Sequence, residues 1–452
     1  MPATSTKADH LCVLVHGLWG NPSHLDYVAS ALRERHADDE LYILCAKGNS
    51  GNFTYDGVEL GGERLVHEIE ETLETLNATG QKIKKLSVIG YSLGGLVARY
   101  AIGLLQARGL LDTLDPVNFT TFASPHVGVR TPPKGFGSNI WNGLGARTIS
   151  TSGQQLFLVD SFRDTGRPLL SILADPESIF IQGLKRFRNR CAYANIVNDH
   201  TTAFYTTALS KVDPFRDLEN ININYLEGYE DVIVNPDEYL LPFKPDLNET
   251  WTSQKWKQCR KFANDASIRA LIALLIGPVA TIFLSYAVVQ TIRSRQRIRL
   301  HEEGKAGVLL GRYRVPLLVQ NVQHAMEEVF ENVNARQEPA FLPSSETEIS
   351  ESPIEKNQRR NPKAKQDIGL PSYSELPADS HGAFAYDQPN LALSPEQFAI
   401  IDSLNDVGFR RYPVHIHKHS HSHAAIIVRA PKEGFSEGKI VMKHWLDNEF
   451  AI

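Results

Sequence analysis

The residues with the clearest capacity for chemistry are Gly90-Tyr91-Ser92-Leu93-Gly94, a GxSxG pattern. An apolar run, Leu86-Ser87-Val88-Ile89, leads into it, and an apolar stretch with helical spacing follows from Gly95 to Tyr100. A serine at such a strand-to-helix turn is held in a strained conformation with its hydroxyl exposed. Small residues two before and two after it let strand and helix pass closely. Ser92 is therefore the candidate nucleophile, and the chemistry would be acyl transfer through a covalent intermediate. The plainer alternative is a glycine-rich turn that happens to carry a serine, and the strand and helix on either side argue against it.

Acyl transfer needs donors for the oxyanion of its tetrahedral intermediate. Leu11-Cys12-Val13-Leu14-Val15 reads as a buried strand running into His16-Gly17-Leu18-Trp19-Gly20. Backbone N–H groups from such a loop, together with that of the residue after the nucleophile, could serve, so Leu18 and Leu93 are the candidate donors. A structural turn at the strand end is the alternative.

The nucleophile also needs a base and an acid to orient it, and for this kind of turn the chain order is serine, acid, histidine. Strand character at Ala192 to Val197 ends in Asn198-Asp199-His200, which makes Asp199 the first choice for the acid. Its rival is Asp231, after a possible strand at Ile221 to Leu226. The histidine must come later, and Tyr412 to Val428 holds His415, His417, His419, His421 and His423. In a strand all five would point to one face, so a metal site competes with the triad reading, as does a polar loop of no special use. His423 is the leading base because it directly precedes an apolar, helix-like run.

These residues need a scaffold. Strands are expected at Leu11 to Val15, Leu41 to Leu44, Leu86 to Ile89, Phe119 to Phe122 and Ala192 to Val197, with an amphipathic helix over Glu63 to Leu76 and another helix after Ser92. Alternating strands and helices predict an α/β fold with a mostly parallel sheet covered on both faces. Between two of those strands, about 131–190 reads as a cap, with residues such as Trp141, Leu156, Phe157, Phe180 and Phe187 set among glycine- and proline-containing loops. Spacing does not tell whether they face a substrate or pack a subdomain core.

With 452 residues and 42% hydrophobic content, the chain is long enough for one large α/β domain with appendages. A net charge of -5 makes no case for nucleic-acid binding. Four scattered cysteines suit a reducing compartment, and the first ten residues lack the apolar core of a secretory signal, so the catalytic part is expected to face the cytosol.

The strongest composition shift is Ala270 to Ile292, an uncharged apolar run with basic residues on both flanks. It is long enough to cross a bilayer as a helix, which predicts membrane association; a buried core helix is the alternative. The expected organisation is a catalytic α/β core over 1–255, a membrane-associated segment over 256–300, a helical segment over 301–333 and a disordered linker over 334–392. The core is then completed by 393–452, where Ser394-Pro395-Glu396-Gln397 opens a capped helix and Tyr412 to Ile416 supplies a strand.

Taken together, these motifs resemble a fungal serine esterase/lipase family. The resemblance is carried by His16 to Gly20, Thr54 to Gly57 with Gly61-Gly62 and Arg64, the Ser92 turn, Ser124-Pro125-His126, Asn195 to Thr207, and His421 to Phe450. One departure is Thr202-Ala203, where the family more often carries Val-Pro. The resemblance implies an α/β-hydrolase fold, hydrolysis of acyl esters in glycerolipids or phospholipids, and association with lipid droplets. It places His423 at the family's histidine position. The expected protein is a lipase or phospholipase working without metal or organic cofactor at a lipid-droplet or endoplasmic-reticulum surface. An acyltransferase or protein deacylase with the same triad, or a non-enzymatic membrane tether, are the other classes open to this sequence.

Overall fold

The computed structural model describes residues 8–130, 150–229, 231–242, 289–301 and 390–452. Most of the apolar run, part of the cap, nearly all of the expected helical segment 301–333 and most of the linker lie outside them. Among the described residues no helix is long and apolar enough to cross a membrane.

Among the described residues six strands form one parallel sheet: β1 (His10–Val15), β2 (Leu41–Cys45), β3 (Lys85–Tyr91), β4 (Asp115–Phe122), β5 (Asn189–Asn195) and β8 (Arg410–Val414), in the order β2-β1-β3-β4-β5-β8. A short antiparallel ribbon, β6 (Asn222–Ile223) with β7 (Leu240–Leu241), stands apart. All six residues of β1 are buried, as expected of a parallel strand covered on both faces. Helices α2 (Val58–Ala78) and α3 (Leu93–Ala107), together with the helix Pro395–Val407, pack one apolar layer. Helix α1 (Asp26–Arg35) and the last helix, Ser436–Asn448, pack the other. This three-layer, mostly parallel arrangement is the α/β-hydrolase fold.

Strand order reverses direction between β1 and β3, so the loops leaving their carboxyl ends diverge and open a crevice between them, where α/β folds place their sites. Those two loops carry Gly17-Leu18-Trp19 and Ser92. The capped helix begins as its sequence predicts, with a full capping box between Ser394 and Gln397. The possible strand at Ile221 to Leu226 shrinks to two residues plus an isolated bridge from Tyr225 to Val234.

Candidate active site

Ser92 sits at the tip of the turn between β3 and α3 with φ 54 and ψ -129, a conformation that non-glycine residues adopt only under constraint. The constraint is close packing. A Cβ on Gly94 would overlap the carbonyl oxygen of Val15 at the end of β1, so α3 can start where it does only with glycine there. A Cβ on Gly17 would lie 2.6 Å from Ser92 Cβ, so the loop after β1 passes directly beside the serine.

Ser92, Asp199 and His423 come together from three parts of the chain. His423 Nε2 lies 2.9 Å from Ser92 Oγ, and its Nδ1 lies 3.0 Å from Asp199 Oδ2. All three side chains are buried. Asp199 Oδ2 also accepts from Asn195 Nδ2 (2.8 Å) and Thr202 Oγ1 (3.1 Å), while Oδ1 accepts from the N–H groups of Thr201 (3.1 Å) and Thr202 (2.8 Å). Burial alone would raise the carboxyl's pKa; the neighbouring His423 and these hydrogen bonds outweigh it and hold Asp199 below its ordinary value. With its acid ionised and Nδ1–H directed at it, His423 presents a basic Nε2 to the serine hydroxyl, the arrangement needed to take a proton during nucleophilic attack.

The histidine is held by the turn that carries the serine. Tyr91 Oη donates to the His423 carbonyl at 3.0 Å, and the two rings stand 5.2 Å apart. Ser422 Oγ donates to the Val197 carbonyl (2.7 Å), and Asn198 Nδ2 donates to that of Ile416 (3.2 Å), tying the acid loop to the histidine loop. Sequence reasoning missed Tyr91, Asn195, Asn198 and Thr202. Only the position of Asn195, four residues before Asp199 at a strand end, offered a local signal.

The five histidines do not share a face. Strand β8 ends at Val414, His415 bonds Tyr225 Oη (2.6 Å), His417 Nδ1 lies 3.0 Å from Glu437, and His419 stacks edge-on against Phe435. Among the described residues no group of three or more His, Cys, Asp or Glu could hold a metal. The rival acid, Asp231, is an exposed residue whose charge acts on His415, whereas Asp199 lies against His423.

The serine opens into a cleft lined by Leu18, Trp19, Leu93, Pro125, Val129, Leu156 and Phe157, with Thr201, Thr202 and His423 supplying polar atoms. Both candidate oxyanion residues, Leu18 and Leu93, line it. Of the expected cap, the described helix Thr151–Leu156 forms part of the wall, while Phe180 and Phe187 pack into the core. His16, just before the loop, is kept neutral because burial pushes its imidazole down to about 4.

Residues 5–212 match the family described as Putative serine esterase (DUF676). The chain is similar to Putative lipase ROG1 of Saccharomyces cerevisiae, at 33% identity over 215 residues, covering 46% of this chain and 30% of that protein. It is also similar to Putative lipase C4A8.10 of Schizosaccharomyces pombe, at 31% identity over 212 residues, covering 45% of this chain and 26% of that protein. The chain thus spans less than a third of the length of these two relatives. Among solved structures, a lipase-esterase related protein from Clostridium acetobutylicum aligns at 15% identity with a TM-score of 0.25, over 45% of this chain and 80% of that one. The fold assignment rests on strand order and not on that alignment.

Proposed function

We propose that this chain, whose residues 5–212 match the serine esterase family, is a lipase or phospholipase that hydrolyses acyl esters of glycerolipids or phospholipids at a lipid surface. The observation that carries the reading is the strained Ser92 with His423 Nε2 at 2.9 Å and Asp199 behind it at 3.0 Å. Ser92 attacks the ester carbonyl, and His423 takes its proton and returns it to the leaving alcohol. Asp199 holds the imidazole in the needed tautomer, while the N–H groups of Leu18 and Leu93 receive the oxyanion. Water then repeats the sequence on the acyl-enzyme. None of these steps calls on a metal or organic cofactor.

An acyl chain suits the cleft because its walls are mostly apolar. The apolar run 270–292 supports action at a membrane or lipid droplet. Ser92 and Asp199 precede that run and His423 follows it, so the run must enter and leave from the same side for the three to meet. Gly277-Pro278 supplies a place to turn. A hairpin of this kind fits a droplet monolayer or the cytosolic face of the endoplasmic reticulum. The test is Ser92→Ala on pure full-length protein with a panel of glycerolipids and phospholipids: turnover should fall by about 10³-fold or more. Substantial hydrolysis by that variant would overturn the mechanism.

A further inference from the structure

Helix 289–301 includes the last residues of the apolar run and is bound to the hydrolase domain at 52–56. Gln290 and Ser294 are buried, and Ser294 Oγ donates to the carbonyl of Tyr55 at 3.3 Å. Arg297 grips the same segment. Its Nε donates to Asp56 Oδ1 (3.0 Å) and Oδ2 (2.9 Å), and its Nη2 donates to Asp56 Oδ1 (2.6 Å) and to the Asn52 carbonyl (3.1 Å). Asp56 is buried and also accepts from Arg64 Nη2 at 2.6 Å. Both guanidinium groups lie over the ring of Phe53. Ser294 and Arg297 thus bind the same short turn, while His301 at the end of the helix pairs with Glu63 of α2.

That turn holds the wall of the cleft. Thr54 Oγ1 accepts from the Trp19 N–H (3.1 Å), and Tyr55 Oη accepts from Trp19 Nε1 (2.7 Å). Gly51 N–H donates to the Gly20 carbonyl at 2.8 Å. Trp19 itself has φ 55, a conformation that depends on such external contacts, and it directly follows Leu18. Both residues line the cleft next to Ser92. The Thr54 carbonyl accepts from Ser152 Oγ, in the helix that forms another part of the wall.

We propose that Arg297 is a positioning residue for the Ser92 site: it clamps the turn Asn52 to Asp56, which sets the backbone at Leu18 and Trp19. The chain leaving the apolar run is thereby tied, through that turn and Trp19, to the wall that shapes the oxyanion side of the cleft. This inference rests on the hydrolase reading above. Removing the Arg297 guanidinium leaves Asp56 still paired with Arg64, so no buried carboxylate is stranded and the fold survives; removing Asp56 would strand two buried cations.

The experiment uses full-length wild type, Arg297→Gln and Arg297→Lys in detergent. It measures kcat and KM on a soluble short-chain p-nitrophenyl ester, the rate of Ser92 labelling by a fluorophosphonate, and Tm. Displacing an oxyanion donor by a fraction of an ångström predicts that Arg297→Gln lowers kcat and the labelling rate about tenfold, with KM within about twofold and Tm within a few degrees. Arg297→Lys, which keeps charge but loses the fork, falls between the two. Rates for Arg297→Gln within about twofold of wild type, whatever Tm does, overturn the clamp while leaving the hydrolase reading intact. If Arg297→Gln gives no folded protein, Arg297→Lys is decisive: a kcat about threefold or more below wild type supports the clamp, and an unchanged kcat overturns it. A wild type that neither labels nor turns over overturns the hydrolase reading, and the clamp with it.

Discussion

Asp199→Asn is the sharpest test of the site because the structure dictates how the new amide must sit. Oδ1 of Asp199 accepts two backbone N–H groups, from Thr201 and Thr202, which cannot turn away. The oxygen of the introduced amide must take that place, which puts its NH2 where Oδ2 now faces His423 Nδ1 at 3.0 Å. Two other donors point at that position, and both can adapt. Thr202 Oγ1 can rotate to accept, and Asn195 can flip its amide because its own buried Oδ1 has no hydrogen-bond partner among the described residues. The imidazole can adapt only by moving its proton to Nε2, which then points a hydrogen at Ser92 Oγ and no longer accepts one. The fold should therefore survive while the tautomer is wrong. Neutralising the acid of such a triad costs about 10⁴ in turnover, or about 5.5 kcal/mol at ~1.36 kcal/mol per tenfold. The assay is kcat/KM on a soluble short-chain ester, with the melting curve as control. Turnover within about tenfold of wild type, in a folded protein, would refute Asp199 as the orienting acid. Asp231→Asn, measured alongside, should stay within about twofold.

His423→Ala should match the loss in Ser92→Ala, whereas His415→Ala and His417→Ala should stay within about threefold, since neither touches Ser92; a uniform loss restored by added zinc would reverse that assignment. Gly438→Ala in the last helix would drive a methyl into the carbonyl oxygen of Ala425, two residues after His423. It should lower stability by about 1–3 kcal/mol and reduce turnover with it; a denaturation midpoint equal to wild type would show that the histidine loop is not braced there. The urea midpoint should fall steadily from pH 7 to pH 5. His10, His16 and His444 are pushed to about 4 chiefly by burial, so between an unfolded value of about 6.5 and about 4 the unfolded chain binds protons that the folded one refuses. Asp199 adds acid lability of the same sign at lower pH, since its stabilising charge is lost as pH falls through its depressed pKa. A midpoint flat over that range would contradict the buried, neutral histidines.

What was legible in the sequence follows from how local each signal is. Ser92 could be named because strand, strained turn and helix are contiguous, and the glycine that permits the crossing stands two residues away. The sheet was legible for a similar reason: β1, β3 and β4 are buried on both faces, so β1 shows an unbroken apolar run at Leu11 to Val15 while Leu86, Val88 and Ile89 mark β3 and Phe119 with Phe122 marks β4, and the strand ends shift by only a few residues. Asp199 was readable as an acid at a strand's end, but what makes it an ionised acid in a buried site comes from Asn195, Thr202 and a histidine 224 residues later. The histidine cluster shows the opposite limit. Its alternate spacing suggests one strand face, yet β8 stops at Val414. Beyond it the His415 N–H goes to the Val232 carbonyl, and the N–H groups of His417 and Lys418 go to the Glu437 carboxylate. Those partners come from a bridge near Ile233 and from the last helix, neither adjacent in sequence, and they turn the chain out of the sheet before the pattern can act. The same holds for Asp56: its motif with Arg64 is visible locally, but its second arginine lies 241 residues on, past the apolar run. Wherever a residue's role is set by a partner across such a gap, spacing names the residue and only tertiary packing assigns its work.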